Sequence, residues 1–181
     1  METIHITLPG DKVVEVALGA KAEELLSSQG SNGSIIAAKL NGTAVDLNRP
    51  IASEGRLEWV SADSPEGLDI LRHSTAHLMA QAVQSLFPGT QVTIGPTIED
   101  GFYYDFKREK PFTPEELESI EARMRELAKQ DLTVVREEMR REDAIELFRK
   151  MGESYKVEIL EGIADETVSL YRQGQWVDLC R

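Results

Sequence analysis

Residues 68–87 read LDILRHSTAHLMAQAVQSLF. Leu71, Leu78, Met79, Ala82, Val83 and Leu86 recur at helical spacing and Pro88-Gly89 stops the run, so the stretch is a helix. At about 100° per residue, the stripe through Leu71, Met79 and Leu86 points one way. His73, Ala76, His77, Ala80 and Gln84 share the opposite side. Strand-like segments lie both before and after this helix, which makes the fold class α+β.

Downstream, QVTI (91–94) and GFYYDF (101–106) read as strands around Gly95-Pro96. Thr113-Pro114-Glu115-Glu116 supplies a capping residue, a proline at the first helical position and a glutamate three residues past the cap. It opens a charged helix to about Gln130. DLTVVREEM (131–139) reads as a strand and REDAIELFRK (141–150) as a helix. SYKVEIL (154–160), ETVSLYR (166–172) and QWVDLC (175–180) read as further strands, giving helices laid on a largely antiparallel sheet.

Upstream, ETIHITL (2–8), a Pro9-Gly10-Asp11 turn and VVEVAL (13–18) form a hairpin. AKAEELLSS (20–28) favours helix, and a Gly/Ser/Asn stretch follows. IIAAKL (35–40), an Asn41-Gly42 turn, TAVDL (43–47) and RLEWV (56–60) complete a small mixed β-grasp sheet. The small, polar Ser61–Gly67 segment marks a boundary, so residues 1–62 are one domain and 63–181 another.

With 41% hydrophobic residues among 181, either part can bury a core. No run of eighteen apolar residues occurs and the N-terminus has no basic leader, so neither a membrane span nor a secretory signal is expected. A single cysteine, Cys180, forms no internal disulfide, which suits a reducing cytosol. Twenty Lys+Arg against 32 Asp+Glu give −12, shared as −3 over residues 1–62 and −9 over 63–181. That balance repels nucleic acid at long range and excludes a general coat protein. Binding the end of a nucleic acid stays open if another domain supplies the affinity.

His73 and His77, four apart, sit one turn from each other on a common helix face and can act together. The bland alternative is a solvated face carrying two histidines by chance. Cys180, beside Asp178 on a predicted strand, is otherwise a small core residue. Tyr104 and Lys156, on predicted strands, are otherwise an exposed edge and a snorkelling stem. His5 reads as structural. Three chemistries could use the pair. His73, His77 and Cys180 suit Zn²⁺, although Ser74 stands where a zinc protease carries glutamate. A Cys-His nucleophile needs the two side chains adjacent. Paired imidazoles can also orient and deprotonate a water near neutral pH.

HSTAH (73–77), IGPTIEDGFYYDF (94–106), GESYKV (152–157) and VDLCR (177–181), in that order, resemble bacterial threonyl-tRNA synthetases over essentially the whole chain. By that resemblance residues 1–62 are a ubiquitin-like TGS module. Residues 63–181 are an editing domain, C-terminally truncated before a further histidine, that hydrolyses mischarged Ser-tRNA(Thr). The resemblance makes His73, His77, Lys156, Asp178 and Cys180 catalytic and puts Tyr104 in the site. Ala76, Ala80 and Gln84, beside the histidines, are expected to bind substrate. No metal is expected in these residues; ATP, Mg and Zn belong to a catalytic domain outside them. The expected partner is tRNA(Thr), the expected location cytoplasmic, and the whole enzyme a homodimer through other domains. The competing expectations are a zinc-dependent hydrolase using His73, His77 and Cys180, and a non-catalytic TGS-containing regulatory module.

Overall fold

The computed structural model describes residues 2–30 and 33–180. Ser31 and Asn32 of the Gly/Ser/Asn stretch and Arg181 of VDLCR lie outside the described residues. In chain order the first elements are β1 (Thr3–Leu8), β2 (Lys12–Ala17), α1 (Ala22–Ser28), β3 (Ile35–Leu40), β4 (Thr43–Val45) and β5 (Gly55–Ser61). They are followed by α2 (Pro65–Leu86), β6 (Gln91–Val92), β7 (Thr97–Ile98), β8 (Gly101–Phe102), β9 (Phe106–Lys107) and α3 (Pro114–Lys129). The chain ends with β10 (Val134–Arg140), α4 (Arg141–Met151), α5 (Ser154–Glu161), β11 (Thr167–Gln173) and β12 (Trp176–Cys180). Two compact units, Met1–Leu71 and Arg72–Arg181, divide the chain within α2. Among the described residues no helix is long and apolar enough to cross a membrane.

The first unit is a five-stranded mixed sheet in the order β2-β1-β5-β3-β4. β1 pairs parallel with β5, and the other pairings are antiparallel. This is the β-grasp arrangement the hairpin signals predict. Asn41 and Gly42 both take positive φ, 52° and 81°, as the tight turn between β3 and β4 requires. Alternation on β1 sends Ile4, Ile6 and Leu8 into a core with Leu57 and with Ala22 and Leu25 of α1. His5 points the other way, its Nδ1 3.2 Å from a Glu54 carboxylate oxygen. It makes a surface hydrogen bond, in keeping with its structural reading.

The Ser61–Gly67 segment is less a linker than a helix start. The Ser64 hydroxyl accepts from Gly67 N–H at 3.0 Å and Pro65 takes the first helical position. In the second unit β10, β11 and β12 form an antiparallel sheet, and the pairs β6–β9 and β7–β8 stand apart from it. One face of the larger sheet buries Val168, Leu170, Val177 and Leu179 against Ala144, Phe148, Leu160 and Ile163. A second core joins Ala82 and Val83 of α2 to Ile120 and Leu127 of α3. The Thr113 cap of α3 forms the reciprocal capping box its sequence predicts.

Two expectations fail here. SYKVEIL is a helix, not a strand, so Lys156 projects from α5. Gly152, at φ 80°, ends α4 in the left-handed conformation, and a new helix begins at once, burying Lys156 and Leu160 one turn apart. GFYYDF is also no continuous strand. It breaks after Phe102, and Tyr104 sits in the connection before β9.

Candidate active site

The site forms where α2 crosses the second face of the β10–β12 sheet. Period-two alternation on β12 sends Val177 and Leu179 into the core, which turns Asp178 and Cys180 toward α2. Tyr171 of β11 is the cross-strand neighbour of Asp178, and Ser169 that of Cys180. From α2, His73 Nε2 lies 3.0 Å from His77 Nε2 and 3.0 Å from Cys180 Sγ. The three candidate ligand atoms of His73, His77 and Cys180 all fall within 4.8 Å of one another.

Asp178 is the hub. Its Oδ1 lies 2.7 Å from Lys156 Nζ and accepts its neighbour Leu179 N–H at 2.8 Å. Its Oδ2 accepts the Tyr104 hydroxyl at 2.5 Å and lies 3.1 Å from His77 Nδ1. At that distance the carboxylate's charge acts directly on the His77 nitrogen. Burial pushes the Asp178 pKa up, but His77 and Lys156 together outweigh it and hold the group below the ordinary carboxylate value. Burial first, and then the Asp178 charge, push the Tyr104 phenol far up, so it stays a donor. Lys156 Nζ also donates to the Tyr104 oxygen at 3.2 Å.

This arrangement orders the protons. A negative charge beside His77 Nδ1 favours the tautomer with the proton there, leaving Nε2 as an acceptor. His73 Nε2 then supplies the single proton between the two rings, or shares it with Cys180. The pair thus holds one base and one acid side by side. The same donor set could hold a metal: two imidazoles and a thiolate suit Zn²⁺, and Asp178 beside His77 is the kind of carboxylate that orients a ligating imidazole. Two of the donor pairs, at 3.0 Å, stand closer than the about 3.3 to 3.6 Å between donors around a tetrahedral ion.

All five residues expected to be catalytic, and Tyr104, converge here. The bland readings fail for most of them: His77, Lys156 and Asp178 are buried, and Cys180 and Tyr104 are half-buried. The surroundings of the histidines differ from expectation. Leu71 and Leu86, expected on the buried stripe, are 40% and 38% exposed, whereas Ala76 and Ala80 are buried. α2 is packed on two sides, and the two alanines are part of that packing. Gln84 is also committed internally. Its Nε2 donates to Thr90 O and Glu153 Oε1, and its Oε1 accepts from Trp176 Nε1. Residues missed in the sequence are Glu153, which lies within the GESYKV motif, Trp176 and Tyr171, whose rings flank His77, and Gly95. A Cβ at Gly95 would stand 2.2 Å from Cδ2 of Tyr104, so the glycine admits that ring to the site.

Compared with known proteins, the chain is related along its whole length to aminoacyl-tRNA ligases. The relatives are the ligases for threonine. The chain is 53% identical to threonine–tRNA ligase of Citrifermentans bemidjiense and 54% identical to that of Geobacter sp. strain M21, each match covering 100% of this chain and 29% of the relative. It is 55% identical to the Rhodospirillum rubrum enzyme over 81% of this chain and 23% of that protein. The chain thus spans under a third of the length of these relatives. No protein-family model matches it.

Proposed function

We propose that this chain is the N-terminal part of a threonine–tRNA ligase and that its second unit hydrolyses serine wrongly attached to tRNA(Thr). The observation that carries the reading is the His73–His77 pair, in contact at 3.0 Å and backed by the buried Asp178–Lys156 pair. A ligase site that accepts threonine loses only one methyl contact with serine, about 1–3 kcal/mol or roughly 10 to 200-fold. A second, hydrolytic site that crowds the extra methyl supplies the missing discrimination.

In this reading His73 and Cys180, both half-buried, meet the 3′ end of the aminoacylated tRNA. A water attacks the ester carbonyl and gives its proton to an imidazole. The ribose oxygen leaves, takes a proton and frees serine. Asp178, Lys156 and Tyr104 work from behind His77, fixing its tautomer and the charge of the site. Ala76 and Ala80 serve as packing and Gln84 as scaffold. Aminoacylation with ATP, Mg and Zn, pairing into a homodimer and most of the tRNA affinity belong to other parts of the enzyme, and the first unit is its TGS module. The formal charge of −12 fits a chain that handles only the tRNA's end. In the longer ligase, His73→Ala tests the reading: threonylation continues while Ser-tRNA(Thr) accumulates, and lost threonylation with intact editing overturns it.

A second reading, a zinc-dependent hydrolase, is favoured by one observation, the Asp178 carboxylate 3.1 Å behind candidate ligand His77.

A further inference from the structure

Glu153 is 7% exposed and none of the chemistry above uses it. It sits at the start of α5, and both carboxylate oxygens are engaged: Oε1 accepts from Gln84 Nε2, and Oε2 accepts Val92 N–H at 3.0 Å. The Gln84 amide group therefore meets two acceptors, Glu153 Oε1 and Thr90 O, the latter at 3.1 Å. Neither can donate, so the nitrogen must face them and the amide cannot flip. Its oxygen is left facing the indole of Trp176, whose Nε1 donates to it at 2.8 Å. That bond holds the indole edge-on to His77, with centroids 5.8 Å apart and planes at 69°. The series Glu153, Gln84, Trp176, His77 brings together α5, α2 and β12 by contacts that each depend on the one before.

We propose that Glu153 and Trp176 are positioning residues for the His77 ring, acting through the amide of Gln84. An acceptor-only group at 153 is what gives the series its direction. With glutamine there, the side chain could offer its own N–H to Gln84, whose amide would turn and present its nitrogen to the indole N–H. Trp176 would then lose its acceptor and the His77 ring its fixed neighbour. The catalytic consequence rests on the editing reading, whereas the positioning itself does not.

The test uses Glu153→Gln and Trp176→Phe, by ¹⁵N NMR on the 181-residue protein and by Ser-tRNA(Thr) deacylation in the longer ligase. Two indoles, Trp59 and Trp176, give separate Nε1–H signals. Glu153→Gln is expected to move the Trp176 indole and His77 ring signals and leave Trp59 in place. Each variant should lower kcat by about 10-fold with KM nearly unchanged, and the double variant should be no worse than the poorer single one. Unmoved Trp176 and His77 signals in Glu153→Gln overturn the proposal whatever the activity. If Glu153→Gln does not fold, Trp176→Phe decides, and an unmoved His77 ring overturns the proposal. Signals that move in a protein that does not deacylate Ser-tRNA(Thr) uphold the positioning and count against the editing reading alone.

Discussion

Lys156 Nζ stands 2.7 Å from Asp178 Oδ1 with the two side chains only 4% and 2% exposed, so the charge pair behind the histidines is sealed from water. Removing one partner of such a pair strands the other in a low dielectric, at a cost of about 3–5 kcal/mol. Lys156→Met should therefore destabilise the second unit by about that much. Adding Asp178→Asn should recover a large part of the loss, because the stranded charge is gone. Urea unfolding followed at the Trp176 indole signal measures both, and additive losses would argue against the pair.

The same carboxylate sets an acid limit. Asp178 titrates below its ordinary value in the folded protein, against about 3.9 when unfolded. Its stabilising contribution is thus fully present above about pH 3.9 and is lost as pH falls from there through the lower folded value. The stability difference between the parent and Asp178→Asn should be largest near neutrality and shrink below about pH 4. Glu153 runs the opposite way. Burial raises its pKa despite donors from Val92 and Gln84, so its ionisation costs stability as pH rises above the unfolded value. A pH-independent difference for Asp178→Asn would contradict the assignment.

Gly95 gives a steric test remote in sequence from the histidines. In Gly95→Ala the new methyl would overlap the Tyr104 ring, which must shift and take its hydroxyl away from Asp178. Deacylation should fall by about 10-fold or more, with the histidine resonances perturbed. Unchanged activity would show that Tyr104 is not needed where it stands.

How much of this was legible in the sequence follows from the distance over which each contact acts. His73 and His77 are a local signal, since helical periodicity alone places them together, and the Thr113 capping box is equally local. The β-grasp unit announces itself through alternation and an Asn-Gly turn. The Cys180–His73 contact spans 107 positions and the Trp176–Gln84 bond 92, so nothing in the chain's local pattern could pair them. Motif resemblance brought Cys180 to the site, whereas Trp176 had no such guide. Tyr155, Val157 and Ile159 alternate, a pattern that reads as a strand. The competing signal is Lys156, Leu160 and Ile163 at helical spacing, with only Gly152 and Glu153 between α4 and α5. A buried lysine obscures that signal until its partner, Asp178, is known.

Metal content separates the two readings of the histidine–cysteine cluster. The protein as purified should hold no stoichiometric zinc, and deacylation should survive chelation, since the imidazoles lie in direct contact at 3.0 Å. Zinc at one equivalent, with activity lost on chelation and restored by Zn²⁺, would establish the hydrolase alternative.

Paired imidazoles in the second unit should release serine and spare threonine. The direct measurement is the deacylation rate of Ser-tRNA(Thr) and Thr-tRNA(Thr) side by side, with the longer ligase and its His73→Ala variant. The account predicts rapid serine release, little threonine release, and a loss of about 10²-fold or more in the variant. Equal rates on the two substrates, or serine release unaffected by His73→Ala, would contradict it.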